Sequence, residues 1–370
     1  MDESLLDLAE ALDAVEAIRE SAAQVLREQW APDRLRVMLD DTAPGWAPDL
    51  WETVTALGWP DLLVPEASGG GGGGSAELAG IAEEVGRAAA SIPFVPAAVA
   101  AWCGGPAGAL RTVAFSEPGS TDDAQPRARA RAADVGFVLT GAKTFVPYGS
   151  VAHSFVTSAV REDSGALVLC TVDADADGVT VTALRALDAA PLADVAFDDV
   201  RVDAAAVLAE GAEARRILDG ARARLAVGWA AELVGVAAAV HDAATEYAKH
   251  RVAFGRPIGA FQAIKHRLVD LRADIEVARA LVSRAAQAIE RDASDADAMV
   301  ALATFWAAEH LRAVPEGAIQ VFGGIGYTWE HDAHLYLRRA AVLTALLPPP
   351  DSTCEIAMGW LAPLQSTSGG

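Results

Sequence analysis

The stretch RVAFGRPIGAFQAIKHRLVDL, residues 251–271, joins two helical patterns across a short link carrying glycine and proline. Before it runs an alanine-rich helical pattern from about residue 210 to 250, and after it apolar residues recur every three or four positions from about 261 to 291. A third helix is expected over 295–321. It runs into QVFGGIGYTWEHDAHLYLRRA, residues 320–340, about seventy residues beyond the first stretch. Alanine favours helix and permits close helix approach, so these segments predict a helical bundle at the end of the chain.

Upstream the period changes. Between about residues 112 and 202 lie the short β-rich pieces TVAF, VGFVLTG, KTFV, SFVTSAV, ALVLCTV, GVTVTAL and ADVAFDDVRV, separated by Gly, Asp and Ser. Alternation at Val195, Phe197 and later Val200 suits antiparallel strands with one covered face. Further back, Leu5, Leu8, Leu12, Val15 and Ile18 place an apolar stripe on a first helix, and a second helical pattern spans about 77–90. The glycine run 69–74 between them predicts a flexible surface loop; it lacks the lysine and flanking strand of a P-loop. The pattern divides the chain into an all-α region over 1–110, a β-barrel or sandwich over 111–207 and a helical region over 208–370, an α+β multidomain architecture.

With 370 residues, 52% of them hydrophobic, the chain has material for more than one packed region. Acidic residues outnumber basic ones 51 to 29, and a net charge of -22 opposes binding to nucleic acid or anionic membranes. The acidic N-terminus lacks the order of a secretion signal, and no stretch offers about 18 uninterrupted apolar residues, so the reading is a soluble, cytoplasmic protein. Cys103, Cys170 and Cys354, odd in number and far apart, predict reduced thiols and no metal site.

The two stretches resemble the signatures of the acyl-CoA dehydrogenase family, in the family's order and spacing. SEPGS at 116–120 and TGAKTFVPYG at 140–149 extend the resemblance over nearly the whole chain. The resemblance implies an N-terminal helical domain, a middle β domain and a C-terminal four-helix bundle, with FAD held at a subunit interface. Arg251 then matches the arginine on the FAD pyrophosphate, a role suited to a planar fork of charged donors. Phe254, Gln262, Gln320, Gly323 and Gly324 match further contacts to the flavin cofactor of an adjacent subunit, which implies an oligomer. Ser116 matches a flavin-bonding position, and Phe145 stands in place of the family's tryptophan beside the flavin. Thr121, Asp122 and Asp123 replace the usual continuation after SEPGS, and Pro147 replaces a threonine, so this half departs from the family pattern.

The family's chemistry uses a carboxylate to take a proton from the α carbon of an acyl thioester. In most members it lies twenty-seven residues after the glutamine matching Gln320, which is Leu347 here. The turn that carries it is replaced by Pro348, Pro349 and Pro350, which predict an extended path. In some members the base lies twenty-six residues before the arginine matching Arg251, which is Leu225; the arginine found beside it in several members becomes Ala226, with Arg222 and Arg224 on other helical faces. Glu232, two turns beyond Leu225, is the remaining candidate on that helix, as a base or as a buried partner of a bundle arginine. Glu330 is read as structural, and His331 and His334 as surface residues at a spacing that could hold metal.

The resemblance therefore implies an FAD-dependent dehydrogenase of acyl-CoA thioesters that passes electrons to an electron-transfer flavoprotein. It extends to actinobacterial enzymes of steroid and other bulky acyl-CoA breakdown, some of which are α2β2 heterotetramers with one catalytic chain. A second reading is a subunit whose homologous partner holds the base, or a catalytically silent structural subunit. A third is a same-fold oxidase or monooxygenase.

Overall fold

The spacing that predicts helix after residue 261 is realised in a helix of 29 residues, Gln262–Glu290, whose buried positions Leu268, Leu271, Ile275, Ala278, Val282 and Ala285 recur every three or four residues. The computed structural model describes residues 3–31, 34–39, 44–105, 108–119 and 125–366. Helices α1 (Glu3–Gln29), α2 (Arg34–Val37), α3 (Pro48–Ala56), α4 (Ser75–Arg87) and α5 (Phe94–Gly104) come first. The strands are β1 (Arg111–Ala114), β2 (Arg129–Ala132), β3 (Phe137–Pro147), β4 (Ser154–Arg161), β5 (Leu167–Asp173), β6 (Val179–Arg185), β7 (Pro191–Val202) and β8 (Val207–Glu210). Helix α6 (Gly211–His250), the hairpin β9 (Val252–Ala253) and β10 (Arg256–Pro257), then α7 (Gln262–Glu290) follow. Helices α8 (Ala296–Trp306), α9 (Ala313–Phe322), α10 (Ala333–Leu346) and α11 (Pro350–Ser366) complete the order. Helical, β and helical regions thus succeed one another as the sequence predicts.

Two compact units divide the chain. One is built from Met1–Ala43, Gly74–Ser91 and Ala226–Gly370, and the other from Pro44–Gly73 and Ile92–Leu225. In the first, the single helix expected over 295–321 is interrupted by a π-helical turn, Ala307–Leu311. Trp306 and His310 stack across it with centroids 4.0 Å apart, and both are tied to Asp274 of α7. The prolines behave as expected for two residues only. Leu347 is extended at φ -69 and ψ 154, but Pro350 begins α11, where proline's missing N–H costs no helical hydrogen bond. Helix α6 is long and apolar enough to cross a membrane, yet 78% of its most apolar window is buried, as in a core helix.

The second unit holds the sheet, in the order β6-β7-β3-β2-β4-β5-β8, with β1 also paired to β4. Most pairs are antiparallel as expected, but β1 and β2 both run parallel to β4. Its core is Phe137, Leu139, Phe155, Val168, Val195 and Phe197 with their neighbours. The slip in alternation from Phe197 to Val200 has a structural cause. On β7, Asp198 and Asp199 oppose the single residue Thr140 of β3, with Asp199 at φ +52. On β3, Thr144 and Phe145 oppose the single residue Asp194 of β7, with Phe145 at φ +50. Each is a β-bulge, and the register lost at one is regained at the other. The glycine run is not the loose loop expected. Gly70, Gly71, Gly72 and Gly73 donate backbone hydrogen bonds to Pro65, Asp61, Val64 and Leu62 at 2.8–3.2 Å, because bare backbone can lie directly on that segment.

Among the described residues of this unit, one charged side chain is wholly enclosed. Lys143 on β3 is 0% exposed, and its Nζ donates to Glu117 Oε1 at 2.8 Å, to Phe115 O at 3.3 Å and to Ser158 Oγ at 3.3 Å. Glu117 in turn accepts the N–H groups of Arg127 and Ala128. Burial pushes the Glu117 carboxyl up, but the charge and hydrogen bond of Lys143 and the two backbone donors outweigh it and hold its pKa below the ordinary value. A depressed folded-state value means stability is present above the unfolded pKa and is lost as pH falls through the folded one. Glu117→Gln should therefore cost about 3 kcal/mol or more near pH 7. That difference from the parent should shrink below about pH 4, as read by urea midpoints across pH.

Candidate functional site

In the bundle unit, α6 ends at His250 and the Arg251 N–H is still bonded to Tyr247 O at 2.8 Å. Among the described residues the exposed Arg251 guanidinium has no partner. Strands β9 and β10 then pair Ala253 with Arg256 and Val252 with Pro257. This leaves Phe254 and Gly255 as a two-residue turn at φ +51 and +77, the signature of a type I′ hairpin. A phenylalanine held there costs roughly 1–2 kcal/mol, and its ring is 95% exposed. Phe261 stands edge-on to it at 6.3 Å, with the Arg256 guanidinium 4.1 Å over the Phe261 ring. Gln262, also exposed, opens α7.

The second stretch meets the first through rings. Phe322, two residues after the exposed Gln320, packs edge-on to Tyr247 at 5.2 Å, one turn before Arg251. Gly323, at φ +68, then ends α9, and a side chain at Gly323 or Gly324 would meet nothing within 4 Å. Tyr327 and Trp329 beyond it are exposed. Glu330 offers its backbone carbonyl to Arg36 at 2.7 Å, a structural contact. The two histidines are not simple surface residues. His331 precedes α10 and accepts the Ala333 N–H on Nδ1, while His334 stacks on Trp329 at 4.9 Å; burial holds both imidazoles below their ordinary pKa.

Glu232 is 3% exposed, and Arg339 of α10 donates to its Oε1 from Nε at 2.9 Å and again from Nη2. Helix α4 crosses α6 closely at this level: a methyl group at Gly86 would come 1.9 Å from the Glu232 carbonyl oxygen, and one at Gly235 1.9 Å from that of Glu83. Of the two roles open to Glu232, the ion pair is the one the geometry carries, because its Oε1 already accepts two donors from the enclosed Arg339 guanidinium. Leu347 and Leu225 are both buried, at 6% and 5% exposure. In the other unit Arg222 pairs with Asp219, and Arg224 lies 4.2 Å over the Trp102 ring.

In the sheet unit, Ser116 accepts the Thr144 N–H at 2.9 Å through its backbone carbonyl, which sets it beside the bulge. Phe145 projects from the bulge with 58% of its surface exposed. The Thr144 hydroxyl and the Phe145 N–H both donate to Asp194 Oδ1. Pro147, buried at the end of β3, carries no hydroxyl. Ser120, Thr121, Asp122 and Asp123 lie outside the described residues.

Family models match most of the chain. The acyl-CoA dehydrogenase N-terminal, middle and C-terminal domain models match residues 13–107, 112–200 and 213–347. Acyl-CoA dehydrogenase IpdE2 of Mycolicibacterium smegmatis is 31% identical over 336 residues, 90% of this chain and 94% of that one. The chain belongs to the acyl-CoA dehydrogenase family. Among solved structures, a chain of the ChsE4–ChsE5 complex of Mycobacterium tuberculosis superposes with a TM-score of 0.84 at 27% identity, covering 94% of this chain and 97% of that one. A chain of a Tcur3481–Tcur3483 steroid ACAD variant gives 0.84 at 27%, covering 96% and 99%.

Acyl-CoA dehydrogenases are FAD-dependent. The residues present fit that group. The bundle unit offers an unpaired guanidinium, two exposed amides, a bare diglycine and an exposed aromatic ring, the donor set and flat surface that a pyrophosphate and ring system need. The sheet unit offers a second exposed aromatic on strained backbone beside Ser116. Sequence reasoning missed Asp194, Lys143, Glu117 and Arg339, each of which acts through a partner at least 26 residues away with no spacing signal.

Two outcomes follow from this geometry. Arg339→Met should cost about 3–5 kcal/mol in urea unfolding, with the double variant Glu232→Leu/Arg339→Met recovering most of it; a single-variant cost below about 1 kcal/mol would contradict an enclosed pair. Phe254→Asn should stabilise the flavin-free chain by about 1 kcal/mol, since asparagine tolerates the left-handed turn, while lowering flavin retention measured by absorbance.

Proposed function

We propose that this chain is one subunit of an FAD-dependent dehydrogenase of bulky acyl-CoA thioesters, steroid-derived ones included, in which a homologous partner supplies the base. The observation that carries the reading is the state of the three candidate base positions. Leu347 and Leu225 are buried hydrocarbons, and Glu232 is committed to Arg339. Heteromeric assembly is supported by the two-component names of the ChsE4–ChsE5 and Tcur3481–Tcur3483 relatives, the latter described as a steroid enzyme.

When bound, FAD supplies the hydride acceptor for α,β-dehydrogenation of the acyl group. Arg251 holds the pyrophosphate with charge-assisted hydrogen bonds, and Gln262 and Gln320 contribute amide donors. Gly323 and Gly324 admit the cofactor close to the backbone, and Phe254 covers an apolar part of it. Ser116 and Phe145 serve the flavin from the sheet unit. An electron-transfer flavoprotein would be the partner that accepts the electrons.

The test is the visible spectrum of the chain alone and co-expressed with a homologous chain, before and after anaerobic addition of acyl-CoA thioesters. Bleaching only in the co-expressed pair is expected. Bleaching by the chain alone would overturn the partner-held base, and oxygen consumption without added acceptor would favour an oxidase. In the assembled pair Arg251→Ala should weaken FAD binding roughly tenfold or more; full flavin content in that variant would remove Arg251 from the site.

A further inference from the structure

We propose that Asp194 is a positioning residue that holds Phe145 in the conformation presented to the flavin. This rests on the reading of Phe145 as flavin-facing. Three observations carry it. Phe145 is the second residue of a bulge in which Thr144 and Phe145 oppose Asp194 alone, so the β3 backbone there has lost the regular ladder partners of its neighbours. Its φ of +50 is a conformation that side chains larger than glycine rarely adopt, and its ring is largely exposed, so packing does not hold it. Asp194 takes up what the ladder leaves: its Oδ1 accepts the Phe145 N–H at 3.4 Å and the Thr144 hydroxyl.

The position of Asp194 on its strand makes this contact specific. Ala193 and Val195 beside it are buried in the core, so by the two-residue period of a strand Asp194 projects to the opposite face, on the side of the exposed Phe145 ring. An acidic side chain at that place on β7 is therefore spent on the backbone of the bulge. The 3.4 Å bond to Phe145 is long, and the Thr144 hydroxyl is the shorter anchor of the two. Both donors are neutral, so an amide oxygen can replace the carboxylate oxygen. An exposed aromatic whose strained backbone is fixed by hydrogen bonds is better preorganised for a flat ligand, since part of the backbone freedom it would lose on binding is already removed.

The experiment places 4-fluorophenylalanine at position 145 of the full chain, co-expressed with its homologous partner, and records its 19F resonance without and with FAD. FAD affinity is measured in parallel. Asp194→Ala is expected to shift and broaden the resonance in the flavin-free chain and to weaken FAD binding about tenfold. Asp194→Asn, which keeps the acceptor oxygen, should restore both, and Thr144→Val should fall between them. A merely structural role would change stability and leave the resonance of the folded chain in place. An unchanged resonance in Asp194→Ala, or in Thr144→Val should the alanine variant not fold, overturns the proposal. A resonance that responds to Asp194→Ala but not to added FAD overturns the reading of Phe145 as flavin-facing, and with it the proposed purpose of the contact.

Discussion

A full charge enclosed in an apolar interior has to meet an opposite one, and each unit of this chain is organised around one such meeting. In the sheet unit Lys143 reaches from β3 to Glu117 and to the carbonyl of Phe115, the residues on either side of Ser116. The same strand then turns into the bulge bearing Phe145. In the bundle unit Arg339 ties α10 to α6 at Glu232, where α4 crosses at van der Waals contact. Neither pair needs to add net stability to matter. Each admits only one alignment of the elements it joins; Phe145 lies on one of them, β3, and Arg251 follows the end of another, α6.

The surfaces offered to the cofactor have the opposite character. Phe254 and Phe145 are exposed aromatics on backbone that glycine would occupy more easily. A lone folded chain gains nothing from either arrangement. Strained residues persist where the surrounding structure over-determines them, and here a type I′ hairpin and a β-bulge do so. The gain has to come from what lies against them, which on the proposed reading is FAD.

The helices were readable because a 3.6-residue period leaves a visible stripe, as along Leu268, Leu271, Ile275 and Ala278. The strand β2, with the sequence RARA, was not, because it buries a single alanine and its pairing with β3 and β4 decides its conformation. Helix α11 hid behind three prolines, the last of which starts it. The family signatures single out Arg251, Phe254, Gln262, Gln320 and the diglycine as the proposed cofactor set. The long-range contacts were not legible: Arg339 lies 107 residues from Glu232 and Asp194 lies 49 from Phe145, separations over which no local pattern speaks. The glycine run misled because missing side chains serve mobility and close backbone contact equally well.

The paired bulges on β3 and β7 also limit how such a chain can change by descent. Between them the strands run one residue out of the register kept on either side, and the offset opens at Asp198–Asp199 and closes at Thr144–Phe145. Loss of one codon at either place would leave the offset unclosed and turn the inward residues of one strand outward from there on. A compensating loss in the other strand would restore the faces. Length changes in these two paired strands are thus tolerable only in matched pairs some fifty codons apart, so substitution, rather than insertion or deletion, is the open route for remodelling the face of the sheet that carries Phe145.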